Sequence, residues 1–336
     1  MEAPRVITCT DYHTAGEPFR ILTGDLPELQ GDSILEKRAY ALANLDEIRQ
    51  LVINEPRGHA DMYGCFVTAP EDEEGDLGVV FFHNAGYSTA CGHGTIALVT
   101  WAIESGRISP GGETTEVIVD APSGRLRTIA RMDDAKVISV RFRNVPSFVH
   151  STGIVVGTSL GELSVDISYG GAFYASVDCA DLGVSVQPKD LVRFIALGRE
   201  IKKSLESRHE IVHPEDQRLR DVYGVIFFER LPDEDGKLCQ RNVTIFADGE
   251  VDRSPCGSGT SARLALLDAS GELPRGSQLI HRGIVDTAFT AEVTGDAAVG
   301  ERRAVITEVE GSAFLTGHHE FVLDPHDPVG TGFILR

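Results

Sequence analysis

The sequence predicts an α+β protein of two pseudo-symmetric halves, each a β-sheet rolled around one buried central helix. Two observations carry this. First, a segment occurs twice. Gly78-Val-Val-Phe-Phe, a short loop and Cys91-Gly92-His93-Gly94-Thr95 lead into an apolar run ending at Ser105-Gly106. Asn242-Val-Thr-Ile-Phe, a short loop and Cys256-Gly257-Ser258-Gly259-Thr260 lead into another, ending at Ser270-Gly271. In both copies the cysteine follows a phenylalanine (Phe81, Phe246) by ten residues and precedes its terminal glycine by fifteen. Second, both apolar runs have helical length and almost no polar face, so each helix is enclosed, as when a sheet wraps around it.

The elements follow in chain order. Thr14-Ala-Gly-Glu-Pro-Phe-Arg-Ile-Leu stands near the start of the first half, and Asp61-Met62-Tyr63-Gly64 opens a strand-like run. Thr95 to Glu104 is the first central helix, carrying Trp101 and a charge only at its end, with Gly106 as its stop. Val117-Ile-Val-Asp and Val137-Ile-Ser-Val-Arg-Phe read as strands. The domain change falls near Val145-Pro146. The halves are 1–146 and 147–315, and a strand within 316–336 is expected to return to the first half. In the second half, Tyr169-Gly-Gly-Ala-Phe-Tyr-Ala-Ser-Val answers the Thr14 segment and Asp221-Val222-Tyr223-Gly224 answers Asp61 to Gly64. Residues 187 to 208 form an amphipathic helix. Thr260 to Ala269, with Arg263 and Asp268, is the second central helix, stopped by Gly271. Three matched segments in one order indicate duplication of a whole domain, not a solenoid of shorter period.

A chain of 336 residues accommodates two domains with separate cores. A formal charge of −20 excludes nucleic acid and anionic membrane as partners, because both require a basic face. No run of ~18 apolar residues is present to span a membrane. Met1-Glu-Ala-Pro-Arg lacks the basic and apolar segments of a signal peptide. Six cysteines without a Cys-x-x-Cys pair do not make a disulfide framework. A reducing cytoplasm is therefore expected. The oligomeric state stays open, a homodimer included.

A strand, a Cys-Gly-x-Gly-Thr turn and a buried helix place each cysteine at a helix N-terminus. Unpaired backbone N–H groups there carry about half a positive charge, which favours a thiolate and offers an anion site. Glycine lets the backbone approach that anion closely. Two such ends would hold one carboxylate through the N–H groups of Gly92, His93, Gly257 and Ser258, with a sulfur on either face of the adjacent carbon. Preorganised donors around the carboxylate would replace a cofactor, and none is expected. One thiolate would remove the α-proton while the opposing thiol delivers another. The alternatives are simpler. A buried cysteine is often only a small hydrophobe, and duplication by itself preserves structural turns. A metal reading of Cys91-Gly-His93 lacks further ligands nearby. A phosphate-loop reading of Gly257-Ser-Gly-Thr lacks the lysine. Asp252 either pairs with a substrate ammonium or bonds its own turn. Arg57 and His59 are substrate contacts or a brace. Tyr63 and Phe246 are pocket wall or core.

These residues resemble the proline racemase family, with its diaminopimelate-epimerase-like fold, along essentially the whole chain. The resemblance rests on Asp11-Tyr-His-Thr-Ala-Gly-Glu17, Glu55-Pro-Arg-Gly-His59 with Asp61-Met-Tyr-Gly64, Gly86-Tyr-Ser-Thr-Ala-Cys-Gly-His-Gly94, Asp166-Ile-Ser-Tyr-Gly-Gly-Ala-Phe173 and Asp252-Arg-Ser-Pro-Cys-Gly-Ser-Gly259. It implies that Cys91 and Cys256 are the two bases, that the site lies between the halves, and that His93 and Asp252 contact the substrate nitrogen. It further implies that Gly257 and Ser258 form the carboxylate-binding turn, and that Tyr63 and Phe246 pack on the ring. In the family's trans-3-hydroxyproline dehydratases the second base is usually threonine. Cys256 therefore points to racemisation or epimerisation of proline or a hydroxyproline, with dehydration by Cys91 as the alternative. A non-catalytic amino-acid-binding homologue is a third reading, against which the intact Cys91, Cys256 and Asp252 stand. His83-Asn84 resembles the dehydratase branch, and Tyr63 stands where proline racemases tend to carry phenylalanine. Tyr63 and His83 are thus the expected determinants of substrate choice.

Overall fold

The computed structural model describes residues 5–335. Residues 1–4, within the segment read as lacking a signal peptide, and Arg336 lie outside the described residues. The chain forms two compact units, one of residues up to 140 together with 312 onward, the other of residues 141–311.

The first unit runs β1 (Arg5–Thr14), β2 (Glu17–Leu22), α1 (Ile34–Asn44), α2 (Asp46–Ile53), β3 (Tyr63–Thr68), β4 (Leu77–His83), β5 (Gly86–Tyr87), α3 (Gly92–Glu104), β6 (Thr114–Ala121) and β7 (Gly124–Asp133). β8 (Lys136–Arg143) leads into the second unit. There follow β9 (Phe148–Thr158), β10 (Gly161–Tyr169), β11 (Phe173–Asp178), α4 (Cys179–Leu182), α5 (Leu191–Glu206), β12 (Val222–Glu234), β13 (Lys237–Phe246) and β14 (Glu250–Asp252). α6 (Gly257–Ser270), β15 (Gln278–Arg282), β16 (Ala288–Val299) and β17 (Arg302–Gly311) complete it, and β18 (Ala313–Leu323) belongs to the first unit.

The two units share one topology. In the first, β2 is antiparallel to β1 and parallel to β3, and β4 is antiparallel to β3 and β5 but parallel to β6, which pairs with β7. In the second, β11 is antiparallel to β10 and parallel to β12. β13 is antiparallel to β12 and β14 but parallel to β15, which pairs with β16. β18 closes against β1 and β9 against β10, both antiparallel. In each unit the central helix sits between the fifth and sixth strands of this series. Backbone strain repeats as well. Asp61 and Asp221 both adopt φ 65°, and Gly106 and Gly271 both adopt φ 76°.

Each central helix is buried along nearly its whole length, α3 from Gly92 to Ile103 and α6 from Gly257 to Leu267. Its first turn therefore cannot turn its N–H groups to bulk water, and the turn residues must satisfy them. Both helices start one turn earlier than expected from Thr95 and Thr260. The glycines of the turn are helical because the cysteine before them takes the N-cap position. α5 begins at Leu191, after a single 3₁₀ turn at Pro188–Asp190 inside the expected 187–208 segment. The α1–α2 pair was not foreseen. Its signal is Ser33-x-x-Glu36, which forms a capping box: Glu36 N–H donates to Ser33 Oγ at 3.2 Å and Ser33 N–H to Glu36 Oε2 at 3.2 Å. Among the described residues no helix is long and apolar enough to cross a membrane.

A Cβ on Gly106 or Gly271 would meet nothing within 4 Å, so replacement by alanine isolates the cost of the left-handed backbone. Gly106→Ala and Gly271→Ala should each destabilise the protein by about 1 kcal/mol in denaturant titration. Asparagine at the same positions should recover part of that loss.

Candidate active site

The two cysteine turns share one motif at a helix start but differ in the cysteine's backbone conformation and in the surroundings of its sulfur. Cys91 caps α3 from extended backbone, φ −154°, and its Sγ accepts the Gly94 N–H at 3.3 Å. The carbonyl of Cys91 accepts from both the N–H and the Oγ1 of Thr95, each at 2.9 Å. Cys256 caps α6 from the left-handed region, φ 61°, and its Sγ instead approaches Tyr174 Oη at 3.7 Å. The second glycine of each motif has a steric reason. A Cβ on Gly94 would stand 2.7 Å from Cys91 Sγ, and one on Gly259 would stand 2.9 Å from Cys256 Sγ. No other residue leaves the sulfur room to lie over the first helical turn.

In the first unit the sulfur lies 3.5 and 3.6 Å from the two ring nitrogens of His93. Thr14 Oγ1 donates to the His93 carbonyl at 2.9 Å and pins this turn to the end of β1. The His93 ring meets Tyr63 edge-on at 5.0 Å and Phe19 edge-on at 5.7 Å. Tyr63 in turn packs on His83 at 5.5 Å, its partner across β3 and β4, and its hydroxyl donates to Ser88 Oγ. His83 Nδ1 accepts the Ala85 N–H, and its carbonyl accepts from Arg49 Nη1. The fold thus gathers Cys91, Gly92, His93, Tyr63 and His83 into one buried group.

The second unit gathers Asp252, Cys256, Gly257 and Ser258. Asp252 Oδ1 accepts both the N–H (2.8 Å) and the Oγ–H (2.7 Å) of Ser254, whose Oγ accepts the Cys256 N–H at 3.1 Å. Asp252 therefore braces the turn that carries the sulfur. Ser258 Oγ lies 2.7 Å from Tyr174 Oη, so one phenol touches both the sulfur and the serine. Phe246 stacks on Tyr223 at 5.5 Å, and Tyr223 meets Tyr174 edge-on at 5.9 Å. These two rings join Phe246 to the cysteine. A buried triad holds the turn from behind. Asn242 Nδ2 donates to the Pro255 carbonyl at 3.0 Å and reaches His281 Nε2 at 2.8 Å, while His281 Nδ1 lies 2.8 Å from Thr260 Oγ1. Burial pulls the His281 pKa down to about 3, which keeps this ring neutral.

The electrostatics of Cys256 differ from the expectation that a helix start favours thiolate. Burial, and then the nearby Asp252 charge, push this thiol well above its ordinary range, and Tyr174 offsets only part of that. Desolvation of a fully enclosed sulfur outweighs the partial charge of the helix end. Both effects hold Cys256 toward its protonated thiol form. Burial also raises Asp252 to about 6, despite the two Ser254 donors that favour its ionised form.

Tyr174, Ser88, Ser254, Asn242 and His281 were missed at the sequence level. Tyr174 had a signal, since it stands in the second copy where Phe19 stands in the first. The triad had none, because its members are scattered and meet only through the fold. Arg57 bonds the carbonyls of Val322 and Gly330 and pairs with Asp327 at 3.3 Å, so it braces the C-terminal segment. His59 is bonded at Nδ1 only to the neighbouring Ala60 carbonyl, at 2.8 Å.

A sequence profile of the family described as proline racemase matches residues 9–334. A trans-3-hydroxy-L-proline dehydratase of Bacillus thuringiensis subsp. konkukian is 47% identical over 335 residues, covering 100% of both chains. A 3-hydroxyproline 2-epimerase of Burkholderia multivorans is 42% identical over 337 residues, again covering 100% of both. The crystal structure of a hydroxyproline epimerase from Agrobacterium vitis, with bound trans-4-hydroxy-L-proline, superposes with a TM-score of 0.91. It is 32% identical and covers 100% of this chain and 97% of that one. A Bacillus anthracis protein of the PhzF family, 14% identical with a TM-score of 0.60, shares the fold alone. The chain, with its duplicated α+β units and paired cysteine turns, is a member of the proline racemase family.

Proposed function

We propose that this protein is a cofactor-independent 3-hydroxyproline 2-epimerase working with two thiols. The observation that carries the reading is Cys256. It repeats, on the second copy of the scaffold, the helix-capping sulfur that Cys91 supplies on the first. The relatives named for trans-3-hydroxy-L-proline and for 3-hydroxyproline point to a ring hydroxylated at C3. The second cysteine favours inversion at C2 over loss of water.

In the proposed reaction Cys91 acts as thiolate and takes the C2 proton. The electron pair spreads into the carboxylate, held by the N–H groups of Gly92, His93, Gly257 and Ser258. Cys256, a protonated thiol, delivers its proton to the opposite face. The two sulfurs then exchange roles, so the reverse reaction starts from the other protonation state. Asp252 and His93 take the ring nitrogen, Tyr63 and Phe246 face the ring, and His83 supports Tyr63. A substrate ammonium beside Asp252 would cancel the charge that holds the Cys256 thiol high, so binding prepares that sulfur for its return role.

Dehydration is the second reading, favoured by the 47% identical relative. The same Cys91 step would leave a C2 electron pair that expels the C3 hydroxyl as water, with Cys256 supplying the proton. The enamine formed then tautomerises to a cyclic imine.

Two predictions follow from this chemistry. In deuterated water the wild type should invert trans-3-hydroxy-L-proline with solvent deuterium at C2. Cys256→Ala should lose inversion by about 10²–10⁴-fold while Cys91 still exchanges the α-proton of the starting enantiomer. Full inversion by that variant would sink the two-thiol reading, and accumulation of the cyclic imine by the wild type would establish dehydration. The second concerns pH. Asp252 pairs with the ammonium only when ionised, so kcat/KM should rise with pH through about 6. Asp252→Asn should flatten that acid limb and raise KM, measured by pH profiles of both proteins.

A further inference from the structure

A cavity of about 430 Å³ lies within the second unit, against the C-terminal half of α6. Cys256 does not line it. Its buried polar residues are Arg263 and Ser176, only 4% and 3% exposed, beside the buried Leu266 and Leu267. The Arg263 guanidinium lies over the Phe228 ring, 3.7 Å from its centroid, and Nη2 reaches Gln240 Oε1 at 3.4 Å. Arg263 Nε and Ser176 Oγ have no hydrogen-bond partner, and no carboxylate forms an ion pair with Arg263 among the described residues. Burial pulls the Arg263 pKa down to about 10, which still leaves it charged at neutral pH. A buried cation with no ion-pair contact is costly, and only the more distant carboxylates of Glu272, Asp166 and Asp178 offset that cost here.

The duplication shows that packing does not require it. With Cys91 matched to Cys256, Arg263 stands where the first unit has Leu98, and Leu266 where it has Trp101. With Phe19 matched to Tyr174, Ser176 stands where the first unit has Ile21. Phe19 and Tyr174 both face the first turn of their central helix, so Ile21 and Ser176, two residues further along, face the same way. Ile21, Leu98 and Trp101 are all buried and fill the first unit with apolar volume. In the second unit the same three positions became a hydroxyl, a guanidinium and a smaller side chain, and a cavity opened.

The mouth has the opposite sign. Asp166, Asp178, Asp181 and Glu272 line it, the last two exposed. Asp166 and Asp178 are held in place by the N–H groups of Gly153 and Ala180 at 2.9 and 2.8 Å. A simple anion would be repelled at this rim, and a simple cation by the floor. The volume suits a small molecule. We propose that this cavity binds a small zwitterion of the amino-acid type, with its carboxylate against Arg263 and its ammonium among the rim carboxylates. The site is separate from the cysteine chemistry and does not depend on which reaction the cysteines perform.

Isothermal titration calorimetry of the full chain with glycine and with L-alanine tests this, using acetate and methylammonium as half-ligands. One zwitterion per chain should bind, and each half-ligand should bind at least about tenfold more weakly. Glu272→Lys and Arg263→Gln should each weaken the zwitterion by at least about tenfold. Glu272 is exposed, so its variant folds whether or not the Arg263 variant does, and circular dichroism checks both. Absence of binding heat from both amino acids, affinity unchanged in Glu272→Lys, or acetate binding as well as glycine would each overturn the proposal.

Discussion

The chemistry of this protein depends on one packing constraint, a sulfur laid over the first turn of a helix that has no solvent-facing side. Such a helix cannot leave its leading N–H groups to water, so the turn before it must answer them. Cysteine at the N-cap answers one of them in the first unit. The glycine three residues later makes the sulfur's position possible, because any Cβ there would collide with it. The threonine that follows ties the turn back, through the Cys91 carbonyl in one unit and through His281 in the other. The Cys-Gly-x-Gly-Thr pattern is thus a single steric and hydrogen-bonding unit.

Duplication of that unit left likeness in the strand pairing and helix ends and divergence around the sulfurs. Strand pairing, left-handed aspartates and helix-ending glycines repeat between the units. The residues touching the sulfurs do not. Cys91 has a histidine at 3.5 Å, whereas Cys256 has a tyrosine hydroxyl at 3.7 Å and the Asp252 carboxylate beside it. Burial and the Asp252 charge keep Cys256 protonated. The epimerisation proposed above, which needs one acid and one base, would draw on two copies of one turn whose surroundings have drifted apart. The same drift, one helix turn and more beyond the cysteine, replaced apolar core by Arg263 and Ser176.

The aromatic side chains divide between these roles. Tyr63 and His83 form one packed group with His93, so a change at either is transmitted to the Cys91 turn through ring contact. Phe246 is linked to Cys256 through Tyr223 and Tyr174. Tyr174 holds the more direct position, against both the sulfur and Ser258.

The sequence by itself determined the duplication, the central helices and the cysteine turns. Covalent spacing preserves such patterns, and a helix without a polar face announces its own burial. It also carried Asp252, whose place four residues before the sulfur makes local contact with the turn inevitable. The tertiary structure decided what depends on distant residues meeting. Tyr174 comes to Cys256 across 82 residues and His281 to Asn242 across 39. No periodicity encodes such encounters. Protonation was decided there too. The helix start argued for a thiol pKa lowered toward the working range at each cysteine, but burial, which only the folded chain creates, pushes that of Cys256 up because desolvation outweighs a half-charge at a helix end.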